Sequence, residues 1–395
     1  MVADKVASAW FAGWHASSGF AVSNITWSKY TQMTFAFATT TPDVHQLSLD
    51  ATSRTVLPQL VAAGHAHGVA VTCSIGGWTG SQFFSTAVGS AANRTAFVRT
   101  VINLVTHYNL DGVDFDWEYP GLQGIGCNTI NPNDTTNFLS FLQELRRDPI
   151  GSQMIITAAA SDKPFIGSNG LPIYDATGFA EVLDYVAFMN YDVFGPWTAT
   201  AGPNAPLNDA CANSKNRVAS AVSAVRAWTD AGFTPDKLVL GVPGYGHGFR
   251  VKKSDAFTPG SKTNLALFPP QNANNIPVGD TWDGAPDSAP GVCGVASTQA
   301  SGVFNYWGLM QQGYLDTKGK PKPGIIRKFD SCSQTPFLYN PDKEVYISYD
   351  DAKSFAAKGH FIANMGLRGF SMWEAGGDYH DTLTTSIRNA AEFWH

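Results

Sequence analysis

Between Leu110 and Pro120 the chain sets four carboxylates, Asp111, Asp114, Asp116 and Glu118, within eight residues, and interleaves the last three with Val113, Phe115 and Trp117. On a strand this alternation puts Asp114, Asp116 and Glu118 on one face and most of the apolar side chains on the other. A solvated acidic edge strand would not carry Val, Phe and Trp opposite its acids, nor follow the apolar, helix-like stretch 97–105. A divalent-metal site would need partner ligands, and the nine histidines are scattered, with no HExxH and no paired-cysteine zinc spacing. The pattern predicts a buried parallel strand with functional groups at its C-terminal end and no metal. Three carboxylates this close are not all ionised at neutral pH. One retains a proton, and Glu118 at the strand's end is its expected holder, which makes it a candidate general acid.

Short apolar runs recur at 6–14, 33–38, 69–75, 112–118, 154–160, 185–191, 238–242 and 369–373, with helix-like segments at 56–66, 94–107, 135–147, 215–231 and 349–365. Repeated strand-helix units of this kind predict an α/β fold, the (β/α)₈ TIM barrel, with its site at the strands' C-terminal ends. The interval 250–347 is too long for one helix, so it predicts a small α+β insertion subdomain between strands seven and eight. The barrel is then 1–249 and 348–395. A chain of 395 residues that is 44% hydrophobic and 12% aromatic can bury a core of that size. No linker or repeat marks an appended module.

Only 15% of the residues are charged, the formal net charge is −6, and no Lys/Arg cluster occurs, which argues against nucleic acid and anionic membrane as partners. No apolar run approaches the roughly 20 residues of a membrane span. The opening Met1-Val2-Ala3-Asp4-Lys5-Val6 has no basic segment followed by an apolar one, which fits both a cytosolic chain and a secreted one whose signal was removed and a Met1 added; the cysteines shift the balance. Cys73 lies in an apolar run and is expected as a buried free thiol. Cys127, Cys211, Cys293 and Cys332 lie in polar loops and fit two disulfides, hence an extracellular location. Sequons at Asn24, Asn93 and Asn133 permit N-glycosylation.

Asp111-x-x-Asp114-x-Asp116-x-Glu118 resembles the signature of glycoside hydrolase family 18, the chitinase family, with Asp111 as its structural first member. Ser74-Ile75-Gly76-Gly77, Met189-Asn190-Tyr191-Asp192 and Trp373 match further family marks in the right order, and the resemblance covers nearly the whole chain. It implies retaining hydrolysis of chitin or chitooligosaccharide by a cofactor-free enzyme, here expected as a monomer, with the substrate's 2-acetamido group as nucleophile. Glu118 would be the general acid and base, Asp116 would orient the acetamide, and Asp114 would tune Asp116. Tyr191 would bond the acetamido carbonyl and Asp192 the sugar. Trp373 would floor the cleavage subsite, Trp78 and Trp197 would hold leaving-side sugars, and Gly77, Met189, Tyr119, Trp10 and Arg327 complete the substrate-binding set. Two positions depart from the family. Trp10 stands where relatives carry a tyrosine whose hydroxyl supports the acids, and Ile325 stands near Arg327 where some carry tyrosine. Sequential disulfides, Cys127 with Cys211 and Cys293 with Cys332, would keep one bridge among the barrel-top loops and one in the insertion. The same fold also carries inactive chitin-binding lectins and endo-β-N-acetylglucosaminidases of N-glycans. Intact Glu118 and the paired tryptophans favour a linear-chitin hydrolase over both.

Overall fold

A computed structural model describes residues 4–393, so Met1 lies outside the described residues. Its contacts divide the chain into two units. The first holds the residues up to Met189, Ala224–Gly241 and Met365–Gly376; the second holds Asn190–Ser223, Val242–Asn364 and the residues from Gly377 onward.

The first unit is built on a closed ring of strands. Val6–Ala12 lies between Gly369–Trp373 and Gln32–Thr40, and the ring continues through Ala70–Gly76, Gly112–Asp116, Ile155–Ala160, Tyr185–Met189 and Leu238–Pro243 back to Gly369–Trp373. Val6–Ala12 pairs in parallel with both of its neighbours, which closes the barrel. All of the predicted strands are present, and the fold is the (β/α)₈ barrel. Helices alternate with them. Asp50 starts Ala51–Ala66 by accepting the Ser53 N–H at 2.7 Å, and Ser90 starts Ala91–Tyr108 in the same way through Asn93. Asn109, at φ 54°, turns the chain out of the second of these.

The alternation read between 112 and 118 is realised, with one difference. Val113 and Phe115 are fully buried on the outer face, where Phe115 packs edge-on against Phe138 and Phe141 of helix Asp134–Arg147. Burying a ring of this size stabilises by roughly 2–3 kcal/mol. The strand itself ends at Asp116, not at Glu118. Trp117 keeps its parity without ladder bonds because its ring stacks on Phe84 at 5.0 Å and meets Phe138 edge-on. Inside the ring, Val6, Trp10, Ala36, Ala159, Tyr185, Ala187 and Val239 form a core on which Phe37, Met189 and Trp373 rest. The alanines leave the volume that Trp10 fills.

The second unit carries an antiparallel sheet in the order Val303–Asn305, Tyr245–Arg250, Val345–Ser348, Thr335–Asn340, Ile326–Asp330. Phe194, Phe249, Leu265, Phe337, Tyr339 and Tyr346 are prominent in its core. The sheet takes in Tyr245–Arg250, which lies almost wholly before position 250. Helices Tyr306–Gln311, Ala352–Met365 and Thr382–Ala390 accompany it. No helix among the described residues is long and apolar enough to cross a membrane.

Cys73 is a buried free thiol, its pKa pushed up to about 12 by burial. The sequential disulfide pairing does not hold. Cys211 is bonded to Cys332, with Cα atoms 6.2 Å apart, and Cys127 and Cys293 are also disulfide-bonded. The cause is loop contact: the Leu207 N–H donates to the Ser333 carbonyl at 2.8 Å and lays the 207–212 loop beside 331–333. The Cys211–Cys332 bridge closes a separation of 121 residues. Replacing both cysteines with serine is expected to lower unfolding stability by about 2–5 kcal/mol, read as a fall in the urea midpoint; an unchanged midpoint would show that the bridge constrains nothing.

Candidate active site

Asp114 and Asp116 face the barrel interior from strand Gly112–Asp116, and register decides what they meet. Ser74 and Thr157 stand directly opposite Asp114 on the neighbouring strands. The Ser74 hydroxyl donates to Asp114 Oδ2 at 2.7 Å and the Thr157 hydroxyl to Oδ1 at 2.7 Å. The Trp10 indole N–H adds a third donor, to Oδ2 at 3.2 Å. The missing tyrosine hydroxyl is thus replaced by an N–H from the same position. Trp10, expected among the substrate-binding residues, is buried with its indole N–H directed at Asp114.

Asp116 is treated differently. It is equally buried, yet its Oδ1 has no hydrogen-bond partner. Burial, then the neighbouring Glu118 and Asp114, push its carboxyl well above the usual range. Burial also pushes Asp114 up, but the bonds from Thr157, Ser74 and Trp10 oppose it. Asp116 is therefore a second holder of the proton that the sequence assigns to Glu118. Glu118 itself is buried just beyond the strand, two residues from Asp116 and on the same parity.

The Gly76-Gly77 pair is a steric requirement. Both have positive φ, 109° and 80°, and a Cβ on Gly76 would lie 2.3 Å from the Asp116 carbonyl, one on Gly77 2.8 Å from the Phe37 ring. Asp111 lies at the other end of the strand, where its carboxylate accepts from the Val71 N–H and contacts His65 Nε2, both at Oδ2. An aromatic series lies in this unit: Trp373 stacks on Phe37 at 5.5 Å, and Phe37 on Trp14 at 6.1 Å. Trp14 is 46% exposed and Trp78 is 49% exposed, more than packing aromatics are. Met189 is partly buried against the barrel core, and Tyr119 follows Glu118 in a turn closed by Tyr119–Leu122 backbone bonds. Trp14, Phe37 and Thr157 were missed in sequence; the signal for Thr157 was its place opposite Asp114 in a parallel register.

The second unit holds Tyr191, Asp192, Trp197 and Arg327. Asp192 Oδ1 accepts from the Tyr245 hydroxyl and meets His247 Nε2, each at 2.7 Å. Its own N–H donates to Asn204 Oδ1. Tyr191 meets Tyr245 edge-on, and Trp197, 62% exposed, meets His247 edge-on at 5.2 Å. Arg327 is committed to Asp351 at 2.6 Å and to the Tyr349 hydroxyl. Tyr245 and His247 were also missed; their alternation in Tyr245-Gly246-His247 was the available signal.

A closed parallel barrel with buried carboxylates at the C-terminal end of one strand is the (β/α)₈ class, with its acids where that fold places functional groups. The chain belongs to glycoside hydrolase family 18: the family model described as glycosyl hydrolases family 18 matches residues 8–378. It is 52% identical over 388 residues to a chitinase-like effector of Moniliophthora roreri, covering 98% of this chain and 93% of that one. It is 30% identical over 332 residues to chitinase A1 of Niallia circulans, covering 80% of this chain and 41% of that one. Among solved structures, a chitinase from Rhizomucor miehei matches at a TM-score of 0.85 and 30% identity, over 98% of this chain and all of that one.

The raised Asp116 carboxyl has a consequence for stability. Its folded pKa lies above the ordinary 3.8, so the folded protein holds a proton that the unfolded chain releases, and stability falls as pH rises from about 4 toward the folded pKa. Asp116→Asn removes that loss. Its thermal unfolding temperature is expected to match the parent near pH 3.5 and to exceed it at pH 8; a difference that does not grow with pH would contradict the assignment.

Proposed function

We propose that the chain is a retaining chitinase that hydrolyses β-1,4 bonds between N-acetylglucosamine units, with the substrate's 2-acetamido group as nucleophile. The observation that carries this reading is Asp116 Oδ1, a buried acceptor with no partner, two residues from Glu118 and beside a fully bonded Asp114. An acetamido N–H is the kind of donor that oxygen lacks. Glu118 gives its proton to the glycosidic oxygen as the bond from that oxygen to C1 breaks. The acetamido carbonyl oxygen bonds to C1 and forms an oxazolinium ion, whose charge the Asp114–Asp116 pair stabilises. Glu118, now a carboxylate, takes a proton from water as the water oxygen bonds to C1 and opens the ring. Two inversions give back the β-anomer.

Exposed Trp78 and Trp197 support stacking on the apolar faces of leaving-side sugars, and the family motif supports Tyr191 and Asp192 as acetamido and sugar contacts. The disulfides support an extracellular setting. A non-catalytic chitooligosaccharide-binding protein is the second reading, favoured by the name chitinase-like effector that the Moniliophthora proteins carry.

One variant separates the two. Glu118→Gln is expected to lose turnover of N-acetylglucosamine oligomers by about a hundredfold or more while calorimetry shows oligomer binding retained. A parent protein that binds the oligomer and releases no new reducing ends would leave the binding reading.

The nucleophile is tested by its absence. Fully deacetylated oligomers are expected to be uncleaved, and proton NMR before mutarotation is expected to show β-product in excess from the acetylated ones. An initial α-anomer would rule out substrate assistance.

A further inference from the structure

Glu118 lies past the end of its strand, so the ladder that fixes Asp114 and Asp116 does not fix it. Its backbone is held by two side chains from two different loops. The Glu118 N–H donates to Ser81 Oγ at 3.1 Å, and the Glu118 carbonyl accepts from Asn128 Nδ2 at 2.8 Å. Ser81 is fully buried, and its one hydroxyl proton is shared between the Gly77 carbonyl at 2.8 Å and the Asp116 carbonyl at 3.0 Å. Asn128 is buried as well. It is clamped by Gln123, whose Oε1 accepts the Asn128 N–H and whose Nε2 donates to the Asn128 carbonyl. Gly124 lets this loop come close: a Cβ there would sit 2.1 Å from the Glu118 carbonyl oxygen.

The two loops are also bonded to each other. The Thr129 N–H donates to the Gln82 carbonyl at 3.0 Å, and Gln82 Nε2 reaches Cys127 Sγ at 2.9 Å. Ser81 and Asn128 are therefore members of one brace whose common load is the Glu118 peptide. Between them Ser81 and Asn128 bond both main-chain polar groups of Glu118, which restrains that residue's backbone torsions and with them the direction in which its side chain leaves the backbone.

We propose that Ser81 and Asn128 are positioning residues that aim the Glu118 carboxyl at the leaving-group oxygen. This rests on Glu118 being the general acid. The role differs from general structural support in one measurable way: misaiming an acid harms only substrates that need its proton. An aryl glycoside whose phenolate leaves unaided does not need it, and kcat/KM reads only the steps through leaving-group departure.

Ser81→Ala and Asn128→Ala are each expected to lower kcat/KM on N-acetylglucosamine oligomers by about 10- to 100-fold, while kcat/KM on a dinitrophenyl chitobioside falls by less than about threefold. Each variant's thermal unfolding is followed alongside, and the two substitutions sit in separate loops, so failure of one to fold leaves the other to decide. Equal losses on both substrates, or no loss on either, would overturn the proposal. Glu118→Gln run in parallel isolates its premise: if that variant hydrolyses the oligomers normally, the acid assignment itself is wrong, whereas if it is inactive the Ser81 and Asn128 results bear on positioning alone.

Discussion

Burying carboxylates inside a closed sheet is the constraint on which the first unit depends. An ionised carboxylate moved from water to a protein interior without partners costs many kcal/mol, so the barrel must supply donors or let the group keep its proton. It does one for each acid. Asp114 receives Ser74, Thr157 and Trp10, two of them fixed by strand register, whereas Asp116 receives none at Oδ1. The layer nearer the strand starts is polar too, with Gln32, Thr34 and Thr72 bonded among themselves. The barrel interior thus combines small residues and hydroxyls with Trp10 and Tyr185, and Asp114 and Asp116 are buried among them.

How much of this was legible in sequence follows from range. The barrel strands were readable because each is an apolar run with its own bounding turns, and the parity of 112–118 fixed which side chains face inward. The end of the strand at Asp116 was not readable, because Trp117 preserves the alternation through its stack on Phe84 after the pairing has stopped. Tyr245–Arg250 escaped for the opposite reason. Its glycines give it poor strand propensity, yet the sheet demands one: a Cβ on Gly246 would lie 2.0 Å from the Ser348 carbonyl, a neighbour about a hundred residues away. That strand carries Tyr245 and His247, so the partners of Asp192 were hidden with it. The Cys211–Cys332 bridge was hidden likewise, since it depends on which loops meet.

The exchange of a hydroxyl for an indole at position 10 matters more than its size. Ser74 and Thr157 can each donate or accept, so by themselves they would tolerate Asp114 in either protonation state. An indole N–H only donates. With Trp10 directed at Oδ2, that oxygen meets two donors and is disfavoured as the seat of a proton, and the negative charge of the Asp114–Asp116 pair is drawn to Asp114. Asp116, whose Oδ1 faces no donor, is pushed well above the usual carboxyl range by burial first and then by Glu118 and Asp114. Trp10 thus adds a donor-only partner to the two hydroxyls on Asp114, while Asp116 is left with an unmet need for an N–H at Oδ1.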